Sequence, residues 1–88
     1  MIDYKLQISD RLDRIFSKLS KKDKFQFEII SKKIKQILDN PFVGKPLTAN
    51  MAGKRRVHVR SFVLTYEILE KERVVMLLDY DHHDNIYR

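Results

Sequence analysis

The stretch FVLTYEILEKERVVMLLDY, Phe62 to Tyr80, decides how this chain folds. It reads as two strands, Phe62 to Leu69 and Arg73 to Tyr80, joined by a turn at Glu70, Lys71 and Glu72 that contains no glycine. Val74 to Leu78 is apolar at every position, hence on both faces, and so reads as an interior strand. Just upstream, a third strand is predicted from Lys54 to Arg60, containing RRVHVRS, Arg55 to Ser61. Val57 and Val59 would point one way from it. Arg56, His58 and Arg60 would point the other, as a row of cationic or titratable groups.

Towards the N-terminus, Tyr4, Leu6 and Ile8 alternate with polar residues, the period of a half-buried strand. Leu12, Ile15, Phe16 and Leu19 then make one stripe of a short amphipathic helix, with Ser9 placed as its N-cap. Ser20 and Asp23 form an S-x-x-D pattern that predicts the start of a second helix. Its stripe is Phe27, Ile30, Ile34, Ile37 and Leu38, and Pro41 stops it after Asn40. Asn40 to Gly53 holds both prolines and both glycines and reads as a loop, long enough at 14 residues to suggest a functional one. The order is β-α-α-β-β-β. Two N-terminal helices packed on a small, mostly antiparallel sheet, an α+β fold, would bury both stripes.

Eighty-eight residues make one domain, 1–88, near the small end of what folds without staples. With no cysteine there is no disulfide and no thiolate metal site, and a reducing cytoplasm is the expected setting. The N-terminal MIDYKLQISD carries acidic residues and no apolar region, so no signal peptide is expected, nor any membrane span. The net charge is +6. Residues 1–53 carry 11 basic and 6 acidic groups, against 7 and 6 in residues 54–88. Lysine therefore dominates the excess in the first half, while arginine and histidine gather in the second. Such a balance fits nucleic acid or an acidic protein as partner, although the lysines at 18–35 also fit the wet faces of two helices.

The C-terminal pattern resembles the RelE/ParE superfamily of toxins from toxin–antitoxin pairs. It comprises a basic cluster, an alternating strand, R-x-x-x-L-x-Y-E-I, an apolar strand and a His-rich turn ending in I-Y-R, here GKRRVHVRSFVLTYEILEKERVVMLLDYDHHDNIYR. The preceding strand, two helices and Pro46-Leu47 loop match the family layout, so the resemblance spans nearly the whole chain. A RelE-like reading implies a metal-independent, cofactor-free endoribonuclease that cuts messenger RNA in the ribosomal A site. The ribose 2′-OH would attack the adjacent phosphate. A cognate RelB-like antitoxin would neutralise the toxin, in a higher-order complex that binds operator DNA through the antitoxin. A ParE-like reading implies instead a toxin that inhibits DNA gyrase and has no nuclease chemistry. A third reading leaves only antitoxin binding and autoregulation.

Cleavage of this kind needs positive charge on the phosphorane oxygens, a base at the 2′-OH and an acid at the leaving 5′-oxygen. The resemblance places Arg56, His58, Arg60, His83 and Tyr87 in the catalytic set. Arg56 and Arg60 would clamp the phosphate, a task suited to a planar guanidinium. His58 or His83 would transfer protons, because imidazole titrates near neutral pH. Tyr87 would stack on or hydrogen-bond the nucleotide, with Lys54, Arg55 and Arg88 as RNA contacts. Two departures stand out. Val63 occupies the position before Leu-x-Tyr where many RelE-type nucleases carry arginine, and Asp81-His82-His83 replaces their Gly-His-Arg. Tyr66 reads as core or antitoxin-facing. Asp79, Asp81 and His83, at i, i+2 and i+4, make a weaker case for a metal, and an ordinary pairing of either aspartate with His58 or an arginine is the alternative.

Overall fold

The structure, a computed structural model, describes residues 4–47 and 53–86. Its elements are β1 (Lys5–Ile8), α1 (Asp10–Lys22), α2 (Lys24–Asp39), a 3-10 turn (Pro41–Val43), β2 (Lys45–Pro46), β3 (Lys54–Val59), β4 (Phe62–Leu69), β5 (Val74–His82) and a terminal turn of helix, α3 (His83–Ile86). The predicted α+β order is present, with β2 and α3 added to it. The sheet runs β1-β5-β4-β3-β2. β5 lies between antiparallel β4 and parallel β1, with Val75 and Leu77 fully buried, as its apolar run requires. No helix among the described residues is long and apolar enough to cross a membrane.

One face of the sheet meets the helices. Leu64, Tyr66 and Ile68 of β4 point there, beside Val57 and Val59 of β3 and Val75, Leu77 and Tyr80 of β5. Leu12 and Phe16 of α1 and Ile30 and Ile37 of α2 close this core. Each such side chain contributes about 1.5–3 kcal/mol by leaving water. A β-bulge sets the phase of β5. Opposite Thr65 and Tyr66 the pairing jumps from Asp79 to Leu77, so Leu78 is an extra residue. Leu77 and Tyr80, three apart, thereby both join the core, and Asp79 and Asp81 turn to the other face. Without the bulge, strict alternation would bury the aspartates with Leu77.

Local chemistry explains the boundaries. The Ser9 hydroxyl accepts from the Leu12 amide at 3.2 Å and starts α1 as predicted. The S-x-x-D expectation needs correcting: α1 continues to Lys22, the Ser20 hydroxyl donates to the Ser17 carbonyl, and Asp23 itself caps α2 by accepting from the Gln26 amide at 3.1 Å. Asn40 ends α2 before Pro41 and caps the 3-10 turn, accepting from the Phe42 amide at 3.2 Å. The segment read wholly as loop thus contains that turn and β2. β3 ends at Val59 rather than Arg60, because Arg60 sits at φ 61, in the left-handed region where a strand cannot continue. β5 starts at Val74 rather than Arg73, for the same reason at φ 56, and runs on to His82 rather than Tyr80.

Tyr66 is fully buried and ties the sheet to the 3-10 turn. Its hydroxyl accepts from the Gly44 amide at 3.0 Å and donates to the Pro41 carbonyl at 2.6 Å. Burial pushes its pKa up, so the hydroxyl keeps the proton it donates. Gly44 is needed there because a Cβ would come within 2.5 Å of that hydroxyl oxygen and 2.8 Å of the Arg56 carbonyl oxygen.

Candidate active site on the open face of the sheet

Two rungs cross β3, β4 and β5 on the face away from the helices. In one, His58 stands opposite Val63, and Val63 opposite Asp81. In the next, Arg56 stands opposite Thr65, and Thr65 opposite Asp79. Each rung therefore has a cationic or titratable group on β3 and a carboxylate on β5, two strand spacings away, roughly 10 Å. Lys54 extends the β3 side of this face, opposite Glu67.

α3 brings the remaining predicted group to this face. The His83 amide donates to the Ser61 carbonyl at 2.9 Å, which fastens the start of the helix to the β3–β4 hairpin. The His83 ring then stacks on His58, with centroids 5.6 Å apart and planes 30° apart. Residues twenty-five apart in sequence are in this way made neighbours. The Asp84 carboxylate lies 3.7 Å from Nδ1 of His83 and 3.7 Å from Nδ1 of His82, an ion pair with either ring when it is protonated. His82 itself faces the helix side, edge-on to Phe62.

Both strand carboxylates are engaged away from His58. Asp79 pairs with Arg11 of α1 at 2.7 Å, the ordinary carboxylate–arginine pairing although with an arginine the sequence did not single out. Asp81 accepts from the Asn85 side chain at 3.0 Å and from the His82 amide at 2.7 Å. These two hydrogen bonds, that from Asn85 foremost, hold the Asp81 carboxyl below the usual carboxylate range. The i, i+2, i+4 face proposed for a metal is broken at His83, where the strand has become helix, and the described residues contain no cluster of three potential ligands.

Other predicted residues fall elsewhere. The Arg60 guanidinium lies over the Phe25 ring at 5.5 Å, beside the start of α2 and apart from Arg56 and His58. Arg55 faces the helix side and clips the 3-10 turn, donating to the Gly44 carbonyl at 2.7 Å and lying 5.1 Å over the Phe42 ring. Arg56 donates to the Pro46 carbonyl at 3.1 Å, holding β2 beside the face. Tyr87 and Arg88 lie outside the described residues. Val63, the position where an arginine was expected, is fully buried under the histidine pair's end of the face, so there it is a floor. No periodic signal marks Gln26, a buried helix residue whose amide donates to the Tyr80 hydroxyl at 2.8 Å.

A five-stranded, mostly antiparallel sheet covered by two helices on one face has the architecture of the RelE-like toxins. The family profile of ParE-like toxins of type II bacterial toxin–antitoxin systems matches residues 6–88, and the chain belongs to that family, within the RelE/ParE superfamily. It is similar to an uncharacterized protein of Methanosarcina mazei, 51% identical over 96% of this chain and 99% of that protein. It is also similar to a Methanocaldococcus jannaschii protein named as toxin RelE4, 42% identical over 97% of this chain and 92% of the relative. Among solved structures, the isolated Escherichia coli RelE toxin superimposes with a TM-score of 0.78, at 20% identity, over 90% of this chain and 83% of that one.

Proposed function

We propose that this toxin is a ribosome-dependent, metal-independent endoribonuclease that cuts messenger RNA in the ribosomal A site. The observation that carries the reading is the His58–His83 stack, two positions along β3 from Arg56 on one open face. One imidazole takes the proton of the ribose 2′-OH. The freed oxygen bonds to phosphorus, the bond from phosphorus to the 5′-oxygen breaks, and the leaving oxygen takes a proton from the other imidazole. The products are a 2′,3′-cyclic phosphate and a 5′-OH. Arg56 neutralises the charge that grows on the phosphorane, with Lys54 and Arg88 along the RNA and Tyr87 against a base. Arg60, held at the hairpin, leaves the clamp to Arg56. A cognate RelB-like antitoxin in the same cytoplasm neutralises the toxin, and the complex they form binds operator DNA through the antitoxin.

The second reading is a ParE-like toxin acting on DNA gyrase. It is favoured by the departure of Arg60 from the row and by valine at position 63, which leave this face with fewer guanidiniums than the RelE pattern. Mapping messenger 5′ ends on programmed ribosomes, with a gyrase supercoiling assay alongside, separates the two. A-site cuts that vanish with His58→Ala support the nuclease. Lost supercoiling without cuts overturns it.

A further inference from the structure

On the helix side of the β3–β4 hairpin, where α1 passes into α2, an exposed aromatic ring stands in a cluster of cations. Phe25 is 64% exposed, the most exposed large hydrophobic side chain among the described residues. The Arg60 guanidinium lies over it at 5.5 Å. Lys21 and Lys22 end α1 and Lys24 begins α2, all three exposed. Of the nearby acids, Asp23 is occupied in capping α2, which leaves Glu28, one turn further along, as the opposing charge. Beside this cluster a cleft of about 470 Å³ opens between the helices and the β3–β4 hairpin, with walls that include Ile15, Leu19 and Phe62. Asp23, Arg60 and Ser61 also line it, as do Gln26 and Tyr80, which are each only 6% exposed and are bonded to each other.

We propose that this corner is a second RNA-binding surface, separate from the cutting face, that takes single-stranded RNA by stacking a base on Phe25 and placing its phosphates on Arg60 and the lysines of the α1–α2 junction. Packing alone gives no reason to expose phenylalanine at position 25. Water would be better met by the polar residues that fill the other outward positions of α2. Arg60 adopts a left-handed backbone conformation that ordinarily suits glycine or asparagine, and its guanidinium braces the ring. Each nucleotide brings both a phosphate for the cations and a flat π-face for the ring. An acidic peptide brings only the charge. Aromatic stacking with flanking cations is the usual chemistry of sequence-tolerant single-strand binding.

The test is fluorescence anisotropy of a short labelled oligouridine, without ribosomes, on the full chain. Phe25→Ala should weaken binding about tenfold, the loss of one base–aromatic stack. Phe25→Tyr should restore it, and Arg60→Ala should both weaken binding and flatten its salt dependence. His58→Ala, on the other face, should leave oligouridine affinity within about twofold while removing A-site cuts, so failure here and failure of the nuclease reading are separate results. Unchanged affinity in Phe25→Ala overturns the proposal. So does an oligoglutamate that competes equally well and loses affinity equally in Phe25→Ala, which would mark the surface as a protein-docking one.

Discussion

The Tyr66 hydroxyl makes two hydrogen bonds to one turn, and both partners are backbone groups that the turn itself leaves unsatisfied. Tyr66→Phe keeps the ring and removes both bonds, stranding the Gly44 amide and the Pro41 carbonyl in a buried place. An unsatisfied buried group costs about 1–3 kcal/mol, so urea unfolding should show a loss of about 2 kcal/mol at an unchanged m-value. Gly44→Ala should cost at least as much, because its methyl would press on that same hydroxyl and on the Arg56 carbonyl. A loss below about 0.5 kcal/mol for Tyr66→Phe would mean that water replaces both bonds. At the face proposed to cut, Arg56→Ala should slow single-round cleavage of ribosome-bound messenger by about 10²–10³, as when other oxyanion stabilisers are removed. Wild-type rates in that variant would remove Arg56 from the chemistry.

Among the elements, the two helices and the three long strands could be read from the sequence because each carries its own period. Leu12 to Leu19 repeats at helical spacing, and Val74 to Leu78 is apolar throughout. What escaped was set by single residues acting on backbone. Arg60 and Arg73 take left-handed φ without being glycine, and the bulge at Leu78 rephases β5 with no turn residue to announce it. The same events decided how much of the site was legible. His58 and His83 were named from the family resemblance, yet their rings come together only in the fold, where the Ser61 carbonyl holds the His83 amide. Arg60 was drawn into the row by an alternation that the backbone does not continue. α3 rests on Asp81, whose carboxyl is held low by Asn85 and the His82 amide. A depressed folded pKa means that this clamp is intact above the unfolded pKa of an aspartate, about 3.9, and is lost as pH falls through the folded value. Asn85→Ala should therefore raise the Asp81 pKa towards the ordinary value, read from its carboxyl carbon shift by NMR. It should also loosen the contact between the His58 and His83 rings. An Asp81 titration unmoved by Asn85→Ala would show that the His82 amide alone sets it.

For the molecule as a whole, charge and chemistry sit on different parts of one small body. The net +6 is carried mostly by the helical half, whereas the groups proposed to act on phosphate lie on the open face of the sheet. Binding to a ribosome and cutting on it should then respond differently to salt. Electrostatic capture releases counterions from RNA, so its equilibrium weakens with ionic strength in proportion to the phosphates neutralised. If about two phosphates are engaged, affinity for programmed ribosomes should fall about tenfold between roughly 50 and 200 mM monovalent salt. On the proposed reading, the cleavage step within a saturated complex would depend on groups already seated around one phosphate, where solvent ions are excluded and screening is weak. Its single-round rate should stay within about twofold over that range. Measuring both on the same ribosomes, with affinity from filter binding and rate from primer extension, makes the two halves of the molecule separately visible. A cleavage rate that falls in step with affinity at saturating toxin would mean that the cations do more than deliver the protein, and that the helical lysines reach the reacting phosphate.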